Sequence, residues 1–341
     1  MKGWSKIPLE LIVLAYLVLY LPYFVLVRWL ATTPAVEVGR ALTGLEILPA
    51  TQILSGIATL AFALAAGWWA FARKRKVGPI EIVWPDRWMV ISGLCTALVL
   101  VTVPLSATFK DVSLPFMQLL MRGDVLILAP LVDIISGRKV RWYSWGALLL
   151  VLAGLVVAFK ARGELALPPL ALLTIGLYTI GYFGRLAVMT RIAKTGREDD
   201  VKRYFVEEKW VGIPAAVLLL ALIPLTGLGQ QGGELSFGFV GVWTSSQIGW
   251  IALLSLLLFM VSVVAAIILL DKRENTYCVP LERSASILAG TGATFILAWL
   301  FGGRPLTSAD LISTAFLVAA VFLLALGPRL GGVAAAAASE P

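Results

Sequence analysis

The sequence predicts an all-α membrane protein: ten transmembrane helices in two inverted five-helix repeats, with both termini cytoplasmic. Three observations carry this expectation. Hydrophobic residues make up 60% of the 341 and charged residues only 14%. Apolar blocks of about 20 residues, enough to cross a ~30 Å hydrocarbon layer, recur from end to end. Lysine and arginine are distributed very unevenly between successive connections.

Apolar runs bounded by polar punctuation place the helices at 8–30, 47–72, 88–108, 113–136, 142–160, 166–190, 203–226, 246–270, 277–301 and 307–327. The first run follows Lys2 and Lys6 but is too long for the apolar region of a signal peptide. No A-x-A-like cleavage site follows it, so it is expected to remain as the first helix. Connections are short, and the longest, around TGLGQQGGELSFGFVGVWTSS, is rich in Gly and Ser and has no basic residue. Alternate connections hold eighteen basic residues on one side and five on the other. By the positive-inside rule the richer side, which includes both termini, is cytoplasmic. The expected location is a cell membrane, a bacterial inner membrane in the first instance.

The net charge of +8 follows from those cytoplasmic loops, so no nucleic-acid partner is implied. Cys95 and Cys278 lie far apart without metal-ligand spacing. Histidine is absent, which removes imidazole as ligand, shuttle or base. No G-x-S-x-G, G-x-x-x-x-G-K-[ST] or H-E-x-x-H is present. Neither catalysis nor a metal or cofactor is expected; the partners are a small-molecule substrate and the lipid bilayer, with a homodimer left open.

An internal repeat pairs the fourth and fifth helices with the ninth and tenth at an offset of 165 residues, matching Pro115 to Pro280 and Gly137 to Gly302. Each copy has a proline near a helix start, a glycine-containing basic turn (SGRKVRW, FGGRPLT) and then a small-residue-rich helix. Five helices per copy place the copies in opposite orientation, the inverted-repeat design of many secondary transporters. The repeats are expected over 1–162 and 163–330, with 331–341 a flexible tail.

The segment LPFMQLLMRGDVLILAPLVDIISGRKVRWYSWGALLLVLAGLVVA and its weaker echo VPLERSASILAGTGATFILAWLFGGRPLTSADLISTAFLVAA resemble the EamA-like repeats of the drug/metabolite transporter superfamily. The glutamate that usually follows the turn glycine in that family is absent: Gly137-Arg138-Lys139 and Gly302-Gly303-Arg304 stand there instead. The resemblance implies a pseudo-two-fold bundle of ten helices. Its central cavity would be lined by the third, fourth, eighth and ninth helices and parts of the first and sixth.

Intramembrane charges sort by face at 100° per residue. Gln118, Arg122, Ala129 and Asp133 fall within a sector of about 60°, whereas Asp124 points nearly opposite. A lipid-facing Arg122 would cost about 3 kcal/mol, so it must face a cavity or a partner. Arg283, Ser286, Gly290 and Thr294 share a stripe, with Glu282 beside it; Tyr178, Tyr182 and Arg185 align on the sixth helix, and Tyr16, Tyr20 and Tyr23 on the first.

A transporter of an organic solute bearing an anionic group would use Arg122 and Arg283 as charge partners. Gln118 and Ser286 would supply hydrogen bonds, and Tyr20 and Tyr178 flat apolar walls, with Glu282, Tyr182 and Arg185 nearby. Asp124 and Asp133 are either coupling or structural charges. The bland alternatives are packing for the tyrosines and interfacial snorkelling for Arg185, Glu207, Glu208 and Lys209. Rival functions are a proton-coupled exporter of cationic or neutral compounds, titrating at Asp124, Asp133 or Glu282, and a lipid-phosphate flippase. An integral-membrane enzyme or scaffold is a further, less favoured class.

Overall fold

The computed structural model describes residues 8–106, 109, 112, 114–162, 167–226, 229–302 and 306–337; within helices, some side chains, those of Gln118, Arg122 and Asp124 included, lie outside the description. The structure is 81% helical and all-α in class. Its helices are α1 (Leu9–Leu30), α2 (Gly44–Ala65), α3 (Arg87–Ser106), α4 (Leu114–Ile135), α5 (Trp142–Arg162), α6 (Pro169–Ile192), α7 (Glu198–Leu222), α8 (Gly229–Val240), α9 (Ile248–Leu269), α10 (Asn275–Phe301) and α11 (Ser308–Ala337). Among the described residues seven of these, α1, α2, α3, α5, α6, α7 and α9, are long and apolar enough to cross a membrane. The chain is a multi-pass membrane protein.

The outer face agrees with that solvent. Leu11, Leu14, Val18, Leu149, Leu172 and Phe295 are each more than half exposed, which water would penalise and lipid tails would not. Exposed tryptophans flank the apolar band: Trp84, Trp88 and Trp142 towards the end rich in lysine and arginine, Trp243 and Trp250 towards the other, where their amphipathic rings suit an interface.

Three connections depart from the short loops expected. The second helix stops at Ala65 rather than reaching residue 72; a 3-10 turn (Trp68–Phe71) and a two-stranded hairpin, β3 (Lys74–Val77) with β4 (Ile80–Val83), follow it. A smaller antiparallel pair, β1 (Pro34–Ala35) and β2 (Arg40–Ala41), joins α1 to α2. The Gly/Ser-rich connection contains α8: Glu234 accepts from Thr43 Oγ1 (3.0 Å) and Gln230 (2.9 Å), which ties this helix to the start of α2. There Thr43 and Glu46 form a capping box, and Arg40 grips Glu46 with two bonds of 2.9 and 2.6 Å. Composition hid α8, because glycine lowers helix propensity and these tertiary bonds restore it. At the C-terminus α11 runs on to Ala337, into the stretch expected to be a tail.

Helix α3 packs against both α6 and α7. Small residues make the approach close: a Cβ on Gly181 would meet the Cys95 carbonyl oxygen at 2.7 Å, and one on Gly212 the Gly93 carbonyl oxygen at 2.9 Å. Elsewhere α1 packs on α9 and α10, α4 on α6 and α10, and α5 on α11.

One buried carboxylate joins three helices. Asp133 of α4 is fully buried and accepts from the backbone N–H groups of Asn275 (3.1 Å) and Thr276 (2.7 Å), from Asn275 Nδ2 (2.8 Å) and from Thr276 Oγ1 (2.5 Å). Asn275 Nδ2 also donates to Thr190 of α6 (2.7 Å). The residue preceding α10, Glu274, makes no side-chain cap. Asp133 therefore satisfies, from a neighbouring helix, donors that an α-helix leaves open at its start, and its charge suits the positive end of the dipole. Replacing Asp133 by Ala should lower unfolding stability in detergent by about 3 kcal/mol, with Asn retaining part of it through its carbonyl oxygen; equal melting of all three proteins would refute this.

Candidate functional site: a charged cavity inside the helix bundle

Helix α7 begins polar and turns apolar, so Glu207, Glu208 and Lys209 enter the bundle together. They then separate. Glu207, itself fully buried, turns to the Arg73 N–H (2.9 Å) and Arg203 (3.5 Å). Glu208, 1% exposed, faces α3 and α6. Its Oε1 accepts from Arg185 Nε (2.6 Å), Thr96 Oγ1 (2.7 Å), the Tyr204 hydroxyl (2.9 Å) and Ser92 Oγ (3.3 Å), and its Oε2 from Arg185 Nη2 (3.2 Å). Ser92 and Tyr204 are themselves 2.6 Å apart. A carboxylate taken out of water survives only when it is paired and hydrogen-bonded, and here both oxygens have partners, most of them on Oε1.

Lys209 is different. Its side chain is 4% exposed, its Nζ lies 4.0 Å from Glu208 Oε2 and 6.0 Å from the Phe205 ring centroid, and it makes no hydrogen bond among the described residues. It lines a cavity of about 70 Å³ with Tyr16 and Tyr20 of α1, Arg185 of α6, and Glu282 and Arg283 of α10; α3 and α9 supply mostly apolar walls.

On the α10 side, Arg283 Nε stands 2.9 Å from Glu282 Oε2. Tyr16 donates its hydroxyl to Glu282 Oε1. The Arg283 guanidinium lies over the rings of Tyr182 (4.2 Å) and Tyr178 (5.7 Å). Tyr16, Tyr20 and Tyr23 stack at 4.9 and 5.3 Å between centroids. Aromatic faces and a carboxylate thus hold the guanidinium where water is scarce. Among the described residues this centre carries three cations, Arg185, Lys209 and Arg283, and two carboxylates, Glu208 and Glu282. Arg185 is matched by Glu208 and Arg283 by Glu282; one positive charge is left over.

Several expected site residues meet here and others do not. Tyr20, Arg185, Glu282 and Arg283 line the cavity, whereas Tyr178 and Tyr182 stand behind Arg283 and are not among its lining residues. Ser286 is buried and donates its hydroxyl to the Arg283 carbonyl oxygen (2.7 Å), so it is engaged within its own helix. Asp133 is the cap described above. The side chains of Gln118, Arg122 and Asp124 lie outside the described residues. Snorkelling of Arg185, Glu207, Glu208 and Lys209 to an interface is corrected: all four are buried, Glu207 against the Arg73 N–H and the others where α3 brings hydroxyls and glycine-permitted close contacts. Lys209, Glu208 and Tyr16 were not singled out as site residues from sequence. One signal pointed to the aromatic part: Tyr16 and Tyr20 repeat as Tyr178 and Tyr182 at a common offset of 162.

No protein-family profile and no curated protein matches this chain. Eighteen chains of solved structures do match in fold. One, described only as "Crystal structure of protein", superposes with a TM-score of 0.54 at 17% identity, covering 94% of this chain and 97% of that one. The likeness is one of fold alone. It extends over nearly the whole of both chains.

Removing Glu208 alone would strand Arg185 in the bundle. Glu208→Ala should cost about 3–5 kcal/mol of stability, and Arg185→Met with Glu208→Met should recover most of it. Melting curves of the single and double variants in one detergent check this; a double variant no more stable than the single would contradict it.

Proposed function

We propose that the protein is a secondary transporter of the drug/metabolite superfamily type, built from ten transmembrane helices in two inverted five-helix repeats, with both termini cytoplasmic. It would move a small organic solute bearing an anionic group by alternating access. Beyond the seven apolar spans, α4, α10 and α11 are helices of 22, 27 and 30 residues. They stand where the runs 113–136, 277–301 and 307–327 are expected, α11 extending past its run to Ala337.

The pattern of helix neighbours supports the repeat. Let the first five long helices exchange with the second five in order: α1 with α6, α2 with α7, α3 with α9, α4 with α10 and α5 with α11. Then the packing of α3 on α6 maps onto α9 on α1, α3 on α7 onto α9 on α2, and α1 on α10 onto α6 on α4. All of these contacts are present. The pairs α2–α7, α4–α10 and α5–α11 map onto themselves and are present too. Gly137 and Gly302, equivalent at the 165-residue offset, both adopt left-handed backbone (φ +70° and +64°) just after α4 and α10. This is the conformation glycine supplies most cheaply at a helix end.

The observation that carries the anion is Lys209. A buried ammonium facing the cavity, with a marginal ion pair and no hydrogen bond among the described residues, is stabilised by a ligand that brings one negative charge. Arg283 beside it offers the fork that a carboxylate or phosphate grips. The cavity of about 70 Å³ has room for roughly two waters, not for a metabolite. In this reading the described conformation is closed around its charges, and solute enters when the repeats rock apart.

Lys209→Gln and Arg283→Gln should each reduce uptake of anionic solutes into proteoliposomes at least roughly tenfold, a loss of one charge-assisted contact; Lys209→Gln should melt close to the parent, whereas Arg283→Gln, which strands the buried Glu282, should also lose about 3–5 kcal/mol of stability. Unchanged uptake in both variants would sink the proposal.

A second reading has one observation in its favour. Between α4 and α6 lies a lateral cleft of about 540 Å³ with apolar walls including Val132, Ile135 and Phe183, and with Arg138, Arg191 and Trp88 around it. A lipid-phosphate flippase would use such an opening. Inhibition of solute uptake by short-chain phospholipid analogues, lost in Arg191→Gln, would favour it over the solute transporter.

A further inference from the structure

Two turns at the basic end of the bundle meet in space although about 135 residues separate them in sequence. The α4–α5 turn brings Arg138, Lys139 and Arg141, and the α9–α10 turn brings Lys272 and Arg273. All five line one concave pocket of about 480 Å³ with Glu274 and the rings of Tyr143 and Tyr277. The positive-inside rule explains why such turns are basic, but not why their charges converge. Like charges gathered in one concavity repel, so their positions need support from behind.

That support is present. Arg138 Nη1 and Nη2 donate to the carbonyl oxygens of Arg273 (3.3 Å) and Lys194 (3.1 Å). Arg273 donates through Nε to Asp271 (2.9 Å) and lies over the Tyr277 ring at 4.9 Å. Arg141 donates to the Tyr143 hydroxyl (2.8 Å), with Glu274 at 3.7 Å. The buried Lys194 ammonium donates to the Arg273 carbonyl oxygen at 2.8 Å; burial holds its pKa below the ordinary lysine value, and Arg138 pushes the same way. Lys139 and Lys272 are exposed and make no hydrogen bond or ion pair among the described residues. By contrast, Lys74, Arg75 and Lys76 on the β3–β4 hairpin are exposed along a strand and share no described pocket. Counting Glu274 and Asp271 against the five cations, the turns retain three positive charges within reach of one another.

We infer that this pocket binds a phosphate-class anion carrying at least two negative charges, held by the Arg138, Arg141 and Arg273 guanidinia with Lys139 and Lys272 closing over it. Guanidinia fixed from behind match phosphate oxygens in paired bonds, and two mobile ammonium groups add charge without fixed geometry. The phosphate belongs either to a free polyanion or to the headgroup of an anionic lipid at the membrane surface. The site is separate from the central cavity, and its occupancy does not depend on transport.

The test uses the full-length protein in nanodiscs and two paired variants. Lys139→Gln/Lys272→Gln removes two pocket charges that have no partner among the described residues, and Lys74→Gln/Lys76→Gln removes two charges from the hairpin. Inorganic pyrophosphate is titrated calorimetrically at fixed ionic strength in phosphatidylcholine discs. Saturable binding is expected, weakened by roughly tenfold or more in the pocket variant and unchanged in the hairpin variant. Repeating the titration in discs containing phosphatidylglycerol separates the sources: weaker pyrophosphate binding there, with retained phosphatidylglycerol seen by mass spectrometry of the parent but not of the pocket variant, assigns the site to lipid. Undiminished pyrophosphate binding assigns it to the free anion. The inference is overturned if neither pyrophosphate nor phosphatidylglycerol binds, if both variants lose binding equally, or if sodium chloride of the same ionic strength reproduces the heat.

Discussion

The Glu208 carboxylate is the constraint on which the centre of the bundle rests. An ion in a hydrocarbon-walled interior is tolerated only when it is paired and hydrogen-bonded, and five donor groups from α3, α6 and α7 converge on Glu208 to do so. Those donors require α3 to lie close to both neighbours, which is why Gly181 and Gly212 stand where a Cβ would strike carbonyl oxygens of α3. Saturating Glu208 with Arg185 and hydroxyls has a further effect: little of it remains for Lys209, the next residue along. A structural ion pair thereby creates a chemically available ammonium beside it.

Asp133 does comparable work for α10. By capping that helix from α4, and by sharing Asn275 with Thr190 of α6, it fixes the start of the helix that carries Glu282 and Arg283 about two turns further on. Position along α10 is thus set at its start by a buried carboxylate and about two turns on by the Tyr16 contact from α1. The interior charges form two connected groups, and each ties elements distant in sequence.

Much of the architecture was legible because the solvent dictates it: a chain in lipid must satisfy its backbone within helices, so apolar length reads directly as span. The departures came where tertiary contacts outweigh composition, as in α8, whose glycines are offset by the Glu234 bonds to Thr43 and Gln230, and in the hairpin after α2. At the site, helical spacing grouped Arg185 with the tyrosines of α6 and put Arg283 on its own stripe. It could not show that Glu208 and Lys209 face inward, because adjacent charges near a helix start look the same whether they meet a headgroup or a partner helix. Nor could it show that Ser286 spends its hydroxyl on the preceding turn, a choice of rotamer rather than of residue.

The surplus charge at Lys209 bears on how membrane voltage would act on the proposed cycle. With the cavity empty, the described centre carries one positive charge; with a monoanion bound, it is neutral. An elementary charge crossing the full field is worth about 2.3 kcal/mol per 100 mV. A negative-inside potential would then bias the return of the empty carrier and leave the loaded step nearly untouched, so that energy stored in the membrane enters through the unoccupied form.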